Sequence, residues 1–357
     1  MRHAAGLFAL SLAAATTAVF AQPAKAPPAA AGPAAALSDR NALLSPIQVD
    51  SLTLTPIIAT AAPAEGADDQ LMVLDEAMAA KQVKIREVSD GTVNSLTFVN
   101  QAKHPVFVLA GEVILGGKQD RIIGRNTVIP ANTTQEVPVY CVEHGRWTGD
   151  SKEFSTARAL AHGRLRGQAS YRAQPDVWNE VAAKNVARKT VNSSDTYRRV
   201  AQQQSDGTLS RMEKQVDEAL ARVPAADRSR MVGYAVALNG SVATVDVFGS
   251  PSLFKKLETK LIRSYLTEAV DIAANKDARP PTASDVKAFI ADAEKAAEQK
   301  SYDTPAAATS VKGGERAFKA KVGYKLRKPA PPADGNAAAP AAAAVSEPTV
   351  YENYQRK

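Results

Sequence analysis

The residues with the most chemical promise lie in one stretch, positions 104–147, HPVFVLAGEVILGGKQDRIIGRNTVIPANTTQEVPVYCVEHGRW. Within it Glu112, Lys118, Gln119, Arg121, Glu143, Arg146 and Trp147 are the candidate ligand-binding residues. Paired N–H groups of arginine grip a phosphate or carboxylate, and a tryptophan offers a face to a planar ring. Glu112 or Glu143 can also serve as the general base of a hydrolase at the same place. Cys141 follows the apolar strand positions Val137 and Val139, so a small buried hydrophobe is expected there rather than a nucleophile. His3, His104, His144 and His162 form no HxH, HExxH or HxxxH pattern, so no metal site is expected. One cysteine closes no intramolecular disulfide and supplies no cysteine-rich cluster. Gly111 to Gln119 grazes a phosphate-binding loop, but the lysine comes one place late and no Ser or Thr follows it. With GxGxxG and GxSxG also absent, no cofactor is named.

Strands must position these side chains. Gly116-Gly117 between two β runs reads as a two-residue hairpin turn, which sets Glu112 opposite Arg121. Alternation then gives Glu112, Ile114, Gln119 and Arg121 one face, and Val113, Leu115, Lys118 and Asp120 the other. A third strand ends in Cys141-Val142-Glu143-His144-Gly145-Arg146-Trp147 and brings Glu143 near Arg121. One concave site is expected, with Arg146 on an anion, Trp147 on a ring and Glu112 holding Arg121. The blander alternative is an ordinary cross-strand Glu–Arg pair beside a structural corner. His162, among Arg158, Arg164, Arg166 and Arg172, is expected on a solvated basic face.

The surrounding chain reads as α+β: a largely antiparallel, sandwich-like sheet in the N-terminal half and a helix-rich C-terminal half. Strands are expected over 50–58, 83–88, 96–99, 106–115, 122–129 and 137–143, with a strand end running into a short helix over 71–80. Helices are expected over 154–165, 176–188, 208–223, 253–274 and 284–298, with a last strand over 317–326. Asn239-Gly240 marks a hairpin between 231–238 and 241–248, because both residues accept positive φ.

Of the 357 residues, 45% are hydrophobic and 23% charged, enough apolar material for a core. The uncharged run from Ala4 to Phe20 behind Arg2, with Val19-Phe20-Ala21, reads as a signal peptide cleaved after Ala21. The divisions expected are a signal peptide 1–21, a Pro/Ala linker 22–38, one large domain 39–328 and a disordered Pro/Ala tail 329–357. A secreted, periplasmic protein follows, with no transmembrane anchor after cleavage. The formal charge of +7 favours anionic partners but is too dilute for specific nucleic-acid binding. The partner expected is a small anionic metabolite. The alternatives are a hydrolase and a non-catalytic envelope interaction protein with spacer tails.

GEVILGGKQDR, VYCVEHGRW and the downstream Gln174-Pro175-Asp176-Val177-Trp178 resemble the ARG and Rhodanese-Phosphatase-superfamily-associated protein domain. The hairpin MVGYAVALNGSVATVDVFGS and the helix after Phe254 fit its later part. ARG denotes ADP-ribosylglycohydrolase, and the resemblance implies handling of an ADP-ribose-like or other phosphorylated metabolite. The residues it carries over are Gly111, Glu112, Gly116, Lys118, Gln119, Arg121, Cys141, Glu143, Gly145, Arg146 and Trp147.

Overall fold

Antiparallel pairing organises the molecule. The computed structural model describes residues 34–62, 71–89, 92–146, 153–202, 207–304, 306–327 and 345–357. The expected signal peptide, most of the Pro/Ala linker and Trp147 lie outside them.

The larger sheet has ten strands. Its centre is the hairpin Met231–Leu238 and Ser241–Phe248, where Asn239 and Gly240 take φ of 46° and 80°. The strand Leu52–Ala59 pairs with Met231–Leu238, so the start of the chain is built into the sheet of the C-terminal half. On the other side Ser241–Phe248 pairs with Thr349–Arg356, which in turn pairs with Ala317–Tyr324. Ala307–Gly313 and Glu298–Asp303 complete that edge.

The helix Pro251–Ala269 packs on this sheet. Pro251 occupies the first turn, and Ser250 caps it by accepting the Leu253 N–H at 3.3 Å. The helix Gly207–Leu220 buries Leu209, Met212, Val216 and Leu220, the apolar stripe its spacing dictates. Under Pro251–Ala269 lies an ionic core. Arg166 donates to Asp246 at 3.0 Å and to the Tyr351 hydroxyl at 2.8 Å, and Asn353 donates to Asp246 at 2.9 Å.

The second sheet runs in the order Phe154–Leu160, Glu112–Gly116, Arg121–Ile123, Thr133–Cys141, Ser95–Asn100, Val83–Glu87. It positions the candidate site.

The sequence reading is corrected at four places. The protein is sheet-rich with scattered helices, and its C-terminal half is not helix-rich. Residues 154–160, expected as helix, form a strand because Glu112–Gly116 offers an open edge whose backbone groups need partners. The long strands expected over 106–115 and 122–129 are each broken in two, at residues 109–111 and 124–126. Residues 349–356, placed in the disordered tail, form a strand that is paired on both sides, with Val350, Tyr351 and Tyr354 buried.

Candidate functional site

The Gly116-Gly117 turn is present, but its register differs from the expected one. Arg121 lies opposite Ile114, and Ile122 opposite Val113, which slides the strand by two positions against the expected pairing. A two-residue slide preserves the faces and changes the partners. The reason is local. Gly116 and Gly117 have φ of 116° and 54°, and the Gly116 N–H binds Asp120 Oδ1 at 3.0 Å, which places the turn later. Both glycines are required. A Cβ on Gly116 would lie 2.6 Å from the Glu153 carbonyl oxygen, and one on Gly117 would lie 2.1 Å from the Phe154 ring.

Glu112 therefore does not meet Arg121. It is fully buried and accepts from Lys260 Nζ at 2.7 Å and from the Leu109 N–H at 2.9 Å. Lys260 also pairs with Asp75 at 2.5 Å. Burial raises the Glu112 pKa, against the pull of Lys260. Arg121 is buried too, facing Cys141 across the strands, with Nη1 3.4 Å from Gln119 Oε1. The backbone N–H of Lys118 binds Glu87 at 3.0 Å. Burial also raises the Cys141 thiol pKa, with Arg121 opposing, and leaves the thiol a poor nucleophile.

What the fold does bring together is Glu143 and Arg146, joined by Asp120, Thr196 and Arg198. Asp120 is fully buried. Its Oδ2 accepts from Thr196 Oγ1 at 2.9 Å and from Arg198 Nε at 2.9 Å. Its Oδ1 accepts from Arg198 Nη2 at 2.7 Å, which completes a two-pronged grip. Arg146 Nη2 donates to Glu143 at 2.7 Å and approaches Asp120 to 3.7 Å, while its Nη1 donates to the Gly117 carbonyl at 2.9 Å. The Asp120 N–H closes the network on Glu143 at 3.0 Å.

Two loops make this arrangement. The chain leaves its strand at Cys141, and Gly145 packs against Ser194, with its N–H on the Ser194 carbonyl at 2.9 Å. The Asn192–Thr196 loop is folded by Asn192, whose Oδ1 accepts the Thr196 N–H at 3.0 Å. Together the loops and the glycine turn line a shallow depression of about 470 Å³ bounded by Gly116, Gly117, Arg146, Ser194 and Arg198.

Charge is layered here. The carboxylates of Asp120 and Glu143 are buried, whereas the Arg146 and Arg198 side chains are 27% and 42% exposed. The bond to Glu143 leads the causes that raise the Arg146 pKa, and the bond to Asp120 does the same for Arg198. Burial works against a charged Glu143, but the bonds from Arg146 and the Asp120 N–H outweigh it and hold its pKa below the ordinary value. Such a carboxylate is a weak general base. Glu112 lies four residues along the strand from Gly116, roughly 13 Å at a strand's rise. The two glutamates do not share a site.

Sequence reasoning missed Thr196 and Arg198 and gave Asp120, on the face opposite Arg121, no part in the site. The polar run Asn192-Ser193-Ser194-Asp195-Thr196 before Arg198-Arg199 was the available signal. The expected solvated basic face holds for Arg158, Arg164 and Arg172, which are exposed, but not for His162 and Arg166. His162 is fully buried between the Tyr197 hydroxyl at 2.8 Å and Glu180 at 2.9 Å, and Arg166 belongs to the ionic core. Among the described residues no cluster of His, Cys, Asp and Glu can hold a metal ion.

These features define a sheet-rich antiparallel protein with a paired-arginine depression at the end of its second sheet. The chain belongs to the ARG and Rhodanese-Phosphatase-superfamily-associated Protein domain family, whose model matches residues 41–326. Neither the curated proteins nor the solved structures searched contain a match to this chain.

Proposed function

We propose that the protein binds a small anionic metabolite, one bearing a phosphate or carboxylate, in the depression walled by Arg146 and Arg198. The observation that carries this reading is the pair of partly exposed guanidiniums fixed by buried carboxylates at one opening. Asp120 and Glu143 hold the two groups in place, so little side-chain freedom is lost when an anion docks. The cations stand nearer the opening than the carboxylates do, and Coulomb attraction falls with distance, so an incoming anion is drawn in. Arg198 spends Nε and Nη2 on Asp120, so Nη1 is the group we assign to the anion. The family association makes an ADP-ribose-like compound the first to try.

The signal-peptide pattern of residues 1–21 supports export, which puts the ligand in the cell envelope or outside it. An exported chain begins at Gln22, which an intact-mass measurement on envelope-fraction protein checks. Cytosolic protein retaining residues 1–21 speaks against it.

The binding experiment is a thermal-shift screen of nucleotides, ADP-ribose and sugar phosphates on the parent and on Arg146→Ala. At least one compound raises the parent's melting temperature and not the variant's. A compound that stabilises both equally overturns the assignment.

A further inference from the structure

We propose that the cavity beneath the helix Gly163–Tyr171 is a second ligand site, suited to a small planar acid that carries an N–H or O–H donor. It is independent of the Arg146–Arg198 depression. The cavity measures about 320 Å³, near the lower end for small-molecule sites.

Its floor is one register row across four strands of the large sheet: Val236, Thr244, Gln355 and Phe318. Its roof holds Gly163 and Gly167, one helical turn apart. A Cβ at Gly163 would meet nothing closer than 3.7 Å, so the space there is open rather than needed for packing.

The polar groups point to the ligand. Gln355 is only 5% exposed, yet its Oε1 has no hydrogen-bond partner among the described residues. Gln168, also on the cavity wall, has an Oε1 in the same condition. A buried carbonyl left without a donor carries its full desolvation cost. A ligand donor reaching both removes it. The floor's far end is cationic. Phe318 stacks on Tyr171 at 4.2 Å, with Lys357 Nζ 4.9 Å and the Arg172 guanidinium 5.6 Å from its ring centre. Glu268 also lines the cavity, beside Gly163, and accepts the Arg164 N–H at 3.0 Å. A largely apolar floor, two unpartnered acceptors and the cations around Phe318 describe a planar ring with a donor and one acidic group directed to the Phe318 end.

Indole-3-acetate is a probe of that class, and 3-methylindole is its counterpart without the acid. Calorimetric titration of the full chain should show indole-3-acetate binding at least tenfold more tightly than 3-methylindole. Gly163→Leu, which fills the space, should abolish binding. Gln355→Leu should weaken it about tenfold and leave the melting temperature of the unliganded protein unchanged or higher. Arg146→Ala should bind like the parent. No binding of either probe, or parent-like binding by Gly163→Leu, overturns the proposal. A lowered melting temperature in Gln355→Leu also counts against it, because the amide would then be a packing element.

Discussion

Lys260 stands between two carboxylates, Glu112 and Asp75, and all but a few per cent of it is buried. Replacing it with Met leaves two acids without their cation, so Lys260→Met should cost roughly 3–5 kcal/mol in denaturant unfolding, and Glu112→Gln in the same chain should recover part of that. A loss below 1 kcal/mol would contradict a buried ionic role. The Cys141 thiol faces Arg121 and lies 3.9 Å from the Val93 carbonyl, too far for a hydroxyl to bond without a shift, so Cys141→Ser should cost about 1–3 kcal/mol, with the parent thiol slow to label in the folded state. Glu143 gives a pH test. Its folded pKa lies below the ordinary 4.5, so its stabilising bonds are present above that value and are lost as pH falls through the folded one. The melting-temperature gap between parent and Glu143→Gln should therefore be wide at neutral pH and close in acid. A gap independent of pH would show that the carboxylate charge is not what matters. At this scale the sequence was partly legible. Glu143 and Arg146 were expected at one site but not as a pair, which their three-residue spacing makes them, whereas Arg198 reaches Asp120 only through the long-range docking of the Asn192–Thr196 loop.

Elements that depend on local signals were readable. Asn239-Gly240 gave its hairpin, and the stripe Leu209, Met212, Val216, Leu220 gave its helix. Elements defined by their partners were not. Residues 154–160 are a strand because of the edge they meet, with Arg158 at φ 52° where the pairing is interrupted. Glu298–Asp303 is largely exposed and polar, so no apolar alternation marks it. Thr349–Arg356 hides behind a Pro/Ala run but sits inside the large sheet. Removing residues 345–357 would expose unpaired edges on Ser241–Phe248 and Ala317–Tyr324. The shortened chain should be insoluble or lack a cooperative melt by circular dichroism. A soluble, cooperatively unfolding product would contradict the placement of that strand.

In the whole molecule, strand Leu52–Ala59 and strand Thr349–Arg356, near opposite ends of the chain, flank the same central hairpin. Halving the chain into sheet and helix parts failed because this sheet collects strands from both halves. The second sheet then carries the depression at one end, where its glycine turn meets two loops. That location makes Arg198 the sharpest probe, since it is anchored on Asp120 yet 42% exposed. The deciding measurement is calorimetric titration, at fixed ionic strength, of the anion that most stabilises the parent. The parent, Arg198→Ala and Arg222→Ala, an exposed arginine beyond the helix Gly207–Leu220, are compared. Arg198→Ala should bind more weakly by roughly 1.5–3 kcal/mol, about ten- to hundredfold, with Arg222→Ala unchanged. Equal affinity in all three proteins, or no anion bound by the parent, would contradict an anion site at Arg146 and Arg198.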